Sequence, residues 1–124
     1  MELFNGRGYA VLESHGSVLG KVRRGWIRVL NIGGGGVPEG WVRGCEARSG
    51  RLSGRLRCTG TGLRFYVYNG PWRIRIKGKG INVSGVIRGS VGLNRGACTR
   101  CRFKIGDGPR RRWPNTFRVY AVRD

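Results

Sequence analysis

The sequence predicts an all-β fold: one domain over residues 1–124, built of about ten short antiparallel strands arranged as a small barrel or a two-layer sandwich. Three observations carry that prediction. Apolar and cationic residues alternate at period two in several segments, glycine recurs between them, and no stretch of three turns keeps apolar residues at helical spacing. The 24 glycines would interrupt nearly every candidate helix, each at about 1 kcal/mol in a helix interior.

Taken in order, strands are expected near 8–12, 17–23, 26–32 and 40–44, where Val, Ile, Leu, Tyr and Trp are gathered. Between the third and fourth, Gly33-Gly34-Gly35-Gly36-Val37-Pro38 reads as a loop. Arg51 to Cys58 alternates, as do Leu63 to Tyr68 and Trp72 to Lys77, the last two flanking the turn residues Asn69-Gly70-Pro71. Further strands are expected over 80–93, 101–105 and 117–121. Gly6-Arg7-Gly8 with Val22 to Val29 also matches Gly78-Lys79-Gly80 with Val86 to Leu93, which suggests a pseudo-duplicated meander.

Charge then bounds the function. The chain carries 25 Lys+Arg against 6 Asp+Glu, a formal net charge of +19, and 21 of the 25 bases are Arg. At 39% hydrophobic residues and 12 Phe, Trp and Tyr, it has the material for a core, unlike a disordered basic tail. Gly and Arg have GC-rich codons, so part of the skew reads as genomic habit. The repulsion among unpaired cations is real whatever its origin, and a polyanionic partner would relieve it.

A hairpin register sharpens this. With an even-length loop between Leu63–Tyr68 and Trp72–Lys77, Tyr68 faces Arg73, Tyr66 faces Arg75 and Arg64 faces Lys77. Leu63, Phe65, Val67, Ile74 and Ile76 then form the core side. Arg64, Tyr66, Tyr68, Arg73, Arg75 and Lys77 form a wet platform on which cations neutralise phosphates and rings stack bases. Arg110, Arg111 and Arg112 with Trp113 are expected as a flanking clamp. The bland alternative is that the Tyr–Arg pairs merely support a solvated sheet face.

The four cysteines, Cys45, Cys58, Cys98 and Cys101, leave three states open. One Cys-x-x-Cys knuckle without a second makes a four-cysteine zinc site a minority reading. A Cys45–Cys58 disulfide suits an oxidising compartment, and free thiols, the expectation for a reducing cytosol, stand first. Catalysis is poorly supplied. His15 is the only histidine, the carboxylates occur singly, and the glycine run lacks the Lys and Ser/Thr of a phosphate-binding loop. The expectation is no enzyme and no cofactor.

Leu63-Arg64-Phe65-Tyr66-Val67, Trp72-Arg73-Ile74-Arg75-Ile76 and Gly78 to Gly89 resemble segments of small Gly- and Arg-rich all-β proteins of high-GC bacteria. The resemblance covers about half the chain by our reading. It implies the fold class and transfers no activity or site. Neither an export signal nor an apolar run of spanning length is visible, so a cytoplasmic location without membrane insertion is expected. The expectation for function is a non-catalytic polyanion-binding module, with RNA or single-stranded DNA preferred and little sequence selectivity. The alternative is a structural or cell-surface β protein that self-assembles or binds acidic glycans.

Overall fold

In the computed structural model, the described residues are 1–32, 39–50, 55–68, 71–93, 101–106, 108–114 and 118–122. They form strands and connections without a helix, so the all-β class holds. The loop at 33–38, the start of the Arg51 segment, the 69–70 turn and Cys98 lie outside them.

Among the described residues the strands are β1 (Glu2–Asn31), β2 (Glu39–Gly50), β3 (Arg55–Tyr68), β4 (Trp72–Leu93), β5 (Arg102–Lys104), β6 (Arg111–Arg112) and β7 (Arg118–Val122), the longest of which span two or three of the short strands expected. Neighbouring short strands have fused because glycine lets the chain bend without leaving its ladder. The sheet has the order β2-β3-β1-β4-β7, with β5 on the start of β1 and β6 on β5. It is not closed into a barrel.

β1 embraces β4. Its first half, from Glu2 to Ser14, runs antiparallel along β4 from Ser84 to Trp72, and its second half, from Val18 to Asn31, runs along the same stretch of β4 from Gly85 to Trp72. The second half also pairs with β3, Val18 opposite Val67 through Leu30 opposite Arg55. The expected β3–β4 hairpin is therefore corrected, because β1 lies between the two strands. A local hairpin needs little loop closure. However, only insertion between β3 and β4 allows Val18, Val22, Ile27 and Val29 of β1 to be fully enclosed, and all four are buried. The two Gly-x-Gly segments of the suspected repeat, Gly6 to Gly8 and Gly78 to Gly80, meet in this ladder, with Arg7 opposite Lys79 and Gly8 opposite Gly78.

One transverse line organises the sheet. The ladders step from Val22/Leu63 to Arg24/Thr61 and from Val22/Ile81 to Arg24/Lys79, passing over Arg23, Gly62 and Gly80. Across that line the inward positions change parity in three strands. In β1 the buried set passes from Val18 and Val22 to Ile27 and Val29, in β3 from Leu63, Phe65 and Val67 to Cys58, and in β4 from Ile81 and Val83 to Ile74 and Ile76. Gly62 and Gly80 sit at φ 64° and 62°, the left-handed region that L side chains disfavour. Their rotation lets both halves of each strand face the same hydrophobic cluster.

Cys45 of β2 and Cys58 of β3 form a disulfide, and Cys101 is disulfide-bonded as well, which corrects the expectation of free thiols. The Cys45–Cys58 link spans a separation of 13 residues, for which loss of loop-closure entropy from the unfolded chain is worth about 3 kcal/mol. The double variant Cys45→Ser/Cys58→Ala should unfold in urea with about 2–4 kcal/mol less stability. A midpoint equal to that of the parent would show that β2 is held by packing alone.

Candidate polyanion-binding face

The outward positions of β1, β3 and β4 are set by the same alternation that buries the core. Because directly opposed residues share a face, the ladders place cations beside cations. Arg64 lies between Lys21 and Arg43, Lys79 lies between Arg7 and Arg24, and Arg28 lies between Arg75 and Arg57. Like charges directly opposite one another destabilise a sheet. Among the described residues the ion pair found, Arg73–Glu13, joins directly opposed positions of β4 and β1 and lies outside these three rows.

Aromatic rings punctuate these rows. On one half of the face Tyr66 is flanked by Leu19 of β1 and Trp41 of β2. The Trp41 and Tyr66 rings meet edge to face at 6.5 Å, the Tyr66 and Tyr68 rings lie 5.1 Å apart, and the Arg43 guanidinium lies 4.6 Å over Trp41. A groove of about 590 Å³ opens here, lined by Phe4, Leu19, Trp41 and Tyr66 together with the charged Glu2, Lys21 and Arg64. Leu19 is 57% exposed and Trp41 38%, so this apolar surface faces solvent.

On the other half, Lys77 lies between Tyr9 and Trp26. Those two rings reach across β4 and meet edge to face at 5.9 Å, while the Arg57 guanidinium sits 5.2 Å over Trp26. The Nε of Arg28 is buried and has no hydrogen-bond partner.

The expected platform is thus kept in its faces and corrected in its neighbours. Arg64, Tyr66 and Tyr68 point outward from β3, and Arg73, Arg75 and Lys77 point outward from β4, alternating with buried residues. They do not form one hairpin patch. Tyr66 faces Leu19 and Trp41 rather than Arg75, and Arg75 faces Val11 and Arg28. Arg73 is tied to Glu13.

The expected clamp divides. Arg110, Arg111 and Arg112 are exposed, and Arg110 lies 4.3 Å over the ring of Phe4, which brings it to the groove margin. Trp113, in contrast, is only 6% exposed and meets Phe103 edge to face at 5.9 Å. Its ring anchors the β5–β6 corner and has no free face for a base. Lys21, Trp41, Arg43, Trp26, Tyr9 and Arg28 are the face residues that local reading passed over. Trp26 and Arg28 alternate with the buried Ile27 and Val29, and the ladder shows what stands beside them.

With Cys45 and Cys58 bonded to each other, neither presents a thiolate to zinc in this state. Among the described residues no group of three His, Cys, Asp or Glu is placed to hold a metal ion. No helix among them is long and apolar enough to cross a membrane.

The fold and this surface define a small all-β domain with a cationic outer face interrupted by aromatic rings. Comparison with protein-family models, with curated proteins and with solved structures finds no match to this chain.

Proposed function

We propose that the protein is a non-catalytic binding module for a polyanion, preferentially single-stranded nucleic acid or RNA. The observation that carries this reading is the triple stacking of like charge across the ladders: Lys21–Arg64–Arg43, Arg7–Lys79–Arg24 and Arg75–Arg28–Arg57. Nine cations held side by side, with no ion pair to any of them among the described residues, repel one another, and a phosphate backbone would convert that repulsion into attraction. Arginine suits the task because its planar fork matches phosphate oxygens and its face stacks on rings.

Preference for a single strand is supported by the groove. Trp41 and Tyr66 stand at its wall with Lys21 and Arg64 alongside, so an unstacked base could lie on a ring while its phosphate meets a cation. Base–aromatic stacking is worth about 1–3 kcal/mol per base. Sequence selectivity is expected to be low, because the described residues include no helix to enter a major groove and the surface offers charge and ring faces above all.

A titration against a labelled single-stranded oligonucleotide at several salt concentrations tests the proposal. If about eight phosphates are neutralised, log affinity should fall against log salt with a slope near −6 on a single strand and −7 on duplex DNA. Tyr66→Ala should weaken the single strand by about 1–3 kcal/mol per stacked base and leave heparin binding unchanged. Tight binding that is indifferent to salt would sink the mechanism.

The Cys45–Cys58 disulfide favours a second reading. Disulfides persist in oxidising compartments rather than in a reduced cytosol, where an acidic glycan is the more accessible polyanion. Heparin bound as tightly as the oligonucleotide, with no loss on Tyr66→Ala, would select it.

A further inference from the structure

The geometry points to a discrete site for one tetrahedral oxyanion at the Arg75–Arg28–Arg57 row, where a phosphodiester of the bound strand is received. This deepens the nucleic-acid reading above and rests on it for the identity of the anion. Three features recommend this row, and the first two set it apart from the other rows. First, the central side chain is partly enclosed: the Arg28 Nε is buried and without a partner, and a buried unpaired donor on a charged group is destabilising until an acceptor meets it. Second, both side neighbours are also arginines, one from β4 and one from β3, and neither forms an ion pair among the described residues. Third, Arg57 is held over Trp26, so one guanidinium is already oriented when the anion arrives, which lowers the ordering cost of binding.

The chemistry of the row fits a phosphate. Opposed residues on adjacent strands have Cβ atoms about 5 Å apart, so three guanidinium forks can reach one group of oxygens. Charge-assisted, fork-shaped donors match tetrahedral oxyanions better than point charges do. The row's next neighbour on the β1 side is Val11, which is buried and apolar. Glu13, on the same strand, is engaged by Arg73. No internal carboxylate therefore competes for the three arginines among the described residues.

Inorganic pyrophosphate, titrated at constant ionic strength and followed by calorimetry, is the probe. Saturable binding at one site is expected, reduced about tenfold or more in Arg28→Met. Arg28→Lys should restore little of it, because it keeps the charge and loses the fork and Nε. Arg118→Met, which removes an exposed cation of β7 away from the rows, should leave pyrophosphate binding intact. Without the anion, Arg28→Met should be as stable in urea as the parent, or more so, since it removes a cation from between two others.

Equal losses in Arg28→Met and Arg118→Met, or no saturation, would overturn the site and leave a diffuse cationic field. The oligonucleotide and a heparin fragment separate this from the functional reading. Pyrophosphate binding that depends on Arg28, in a protein that ignores the oligonucleotide and takes heparin, would uphold the oxyanion site, assign it to a sulfate ester and reject nucleic acid. Oligonucleotide binding unchanged in Arg28→Met would uphold the function and reject the site.

Discussion

Gly25→Ala is expected to leave little folded protein at room temperature, with a loss on the order of 3–5 kcal/mol from strain and overpacking together. Gly25 sits at φ 148° within β1, paired to Gly78 on one side and Gly60 on the other. A Cβ placed there would lie 2.0 Å from the carbonyl oxygen of Lys77 and 2.7 Å from the Cα of Gly78. Both obstacles are backbone, so no side chain can swing aside. The two strands would have to separate, and β1 and β4 carry the centre of the sheet. Gly62→Ala supplies the contrast. Gly62 has φ 64° but nothing within 4 Å of its would-be Cβ, so it should lose only about 1–2 kcal/mol for the left-handed backbone. Urea denaturation of the two variants side by side checks this, and similar losses would mean that backbone angle, not close approach, governs the glycine line.

Trp72→Ala is the second large effect, at about 3–5 kcal/mol for truncating a buried indole. Trp72 opens β4, is fully buried, and donates its indole N–H to the carbonyl oxygen of Gly16 at 3.2 Å. That carbonyl lies where β1 passes from its first half to its second, so the ring both fills the core and fastens the bend about which β1 embraces β4. Trp72→Phe keeps most of the ring and drops the donor, and should lose about 1–3 kcal/mol by removing the indole hydrogen bond to a part-buried carbonyl and leaving a small void. Equilibrium unfolding in urea reads both. A Phe variant as damaged as the Ala variant would show that the hydrogen bond, rather than the ring volume, is the main tie.

How far the fold was legible can be followed at particular residues. Alternation in Leu63 to Tyr68 and Trp72 to Lys77 correctly separates Phe65, Val67, Ile74 and Ile76 from Arg64, Tyr66, Arg75 and Lys77, because the pleat sends successive side chains to opposite faces whatever strand lies alongside. The partner of each strand was not legible. Asn69-Gly70-Pro71 looks like a hairpin turn, and backbone hydrogen bonds carry no residue identity, so nothing local forbids the β3–β4 pairing. Trp113 shows the same limit. Beside three arginines and a proline it reads as surface, yet β5 and β6 bring it against Phe103 in the core. The candidate site follows suit. Arg28 and Trp26 are outward by parity, whereas the row Arg75–Arg28–Arg57 exists only because β1 lies between β4 and β3.

Class and sidedness are written in the chain itself: all-β, with cations standing opposite apolar residues and too few acids to neutralise them. Both are local quantities, settled within a few residues by propensity and by the two-residue period of the pleat. Which cations stand together, which ring is a wall and which is core, and where the sheet turns over along Arg23, Gly62 and Gly80 emerge only on folding. Those depend on pairings between residues far apart in the chain, selected by how much apolar surface the whole sheet encloses rather than by any one segment's preference.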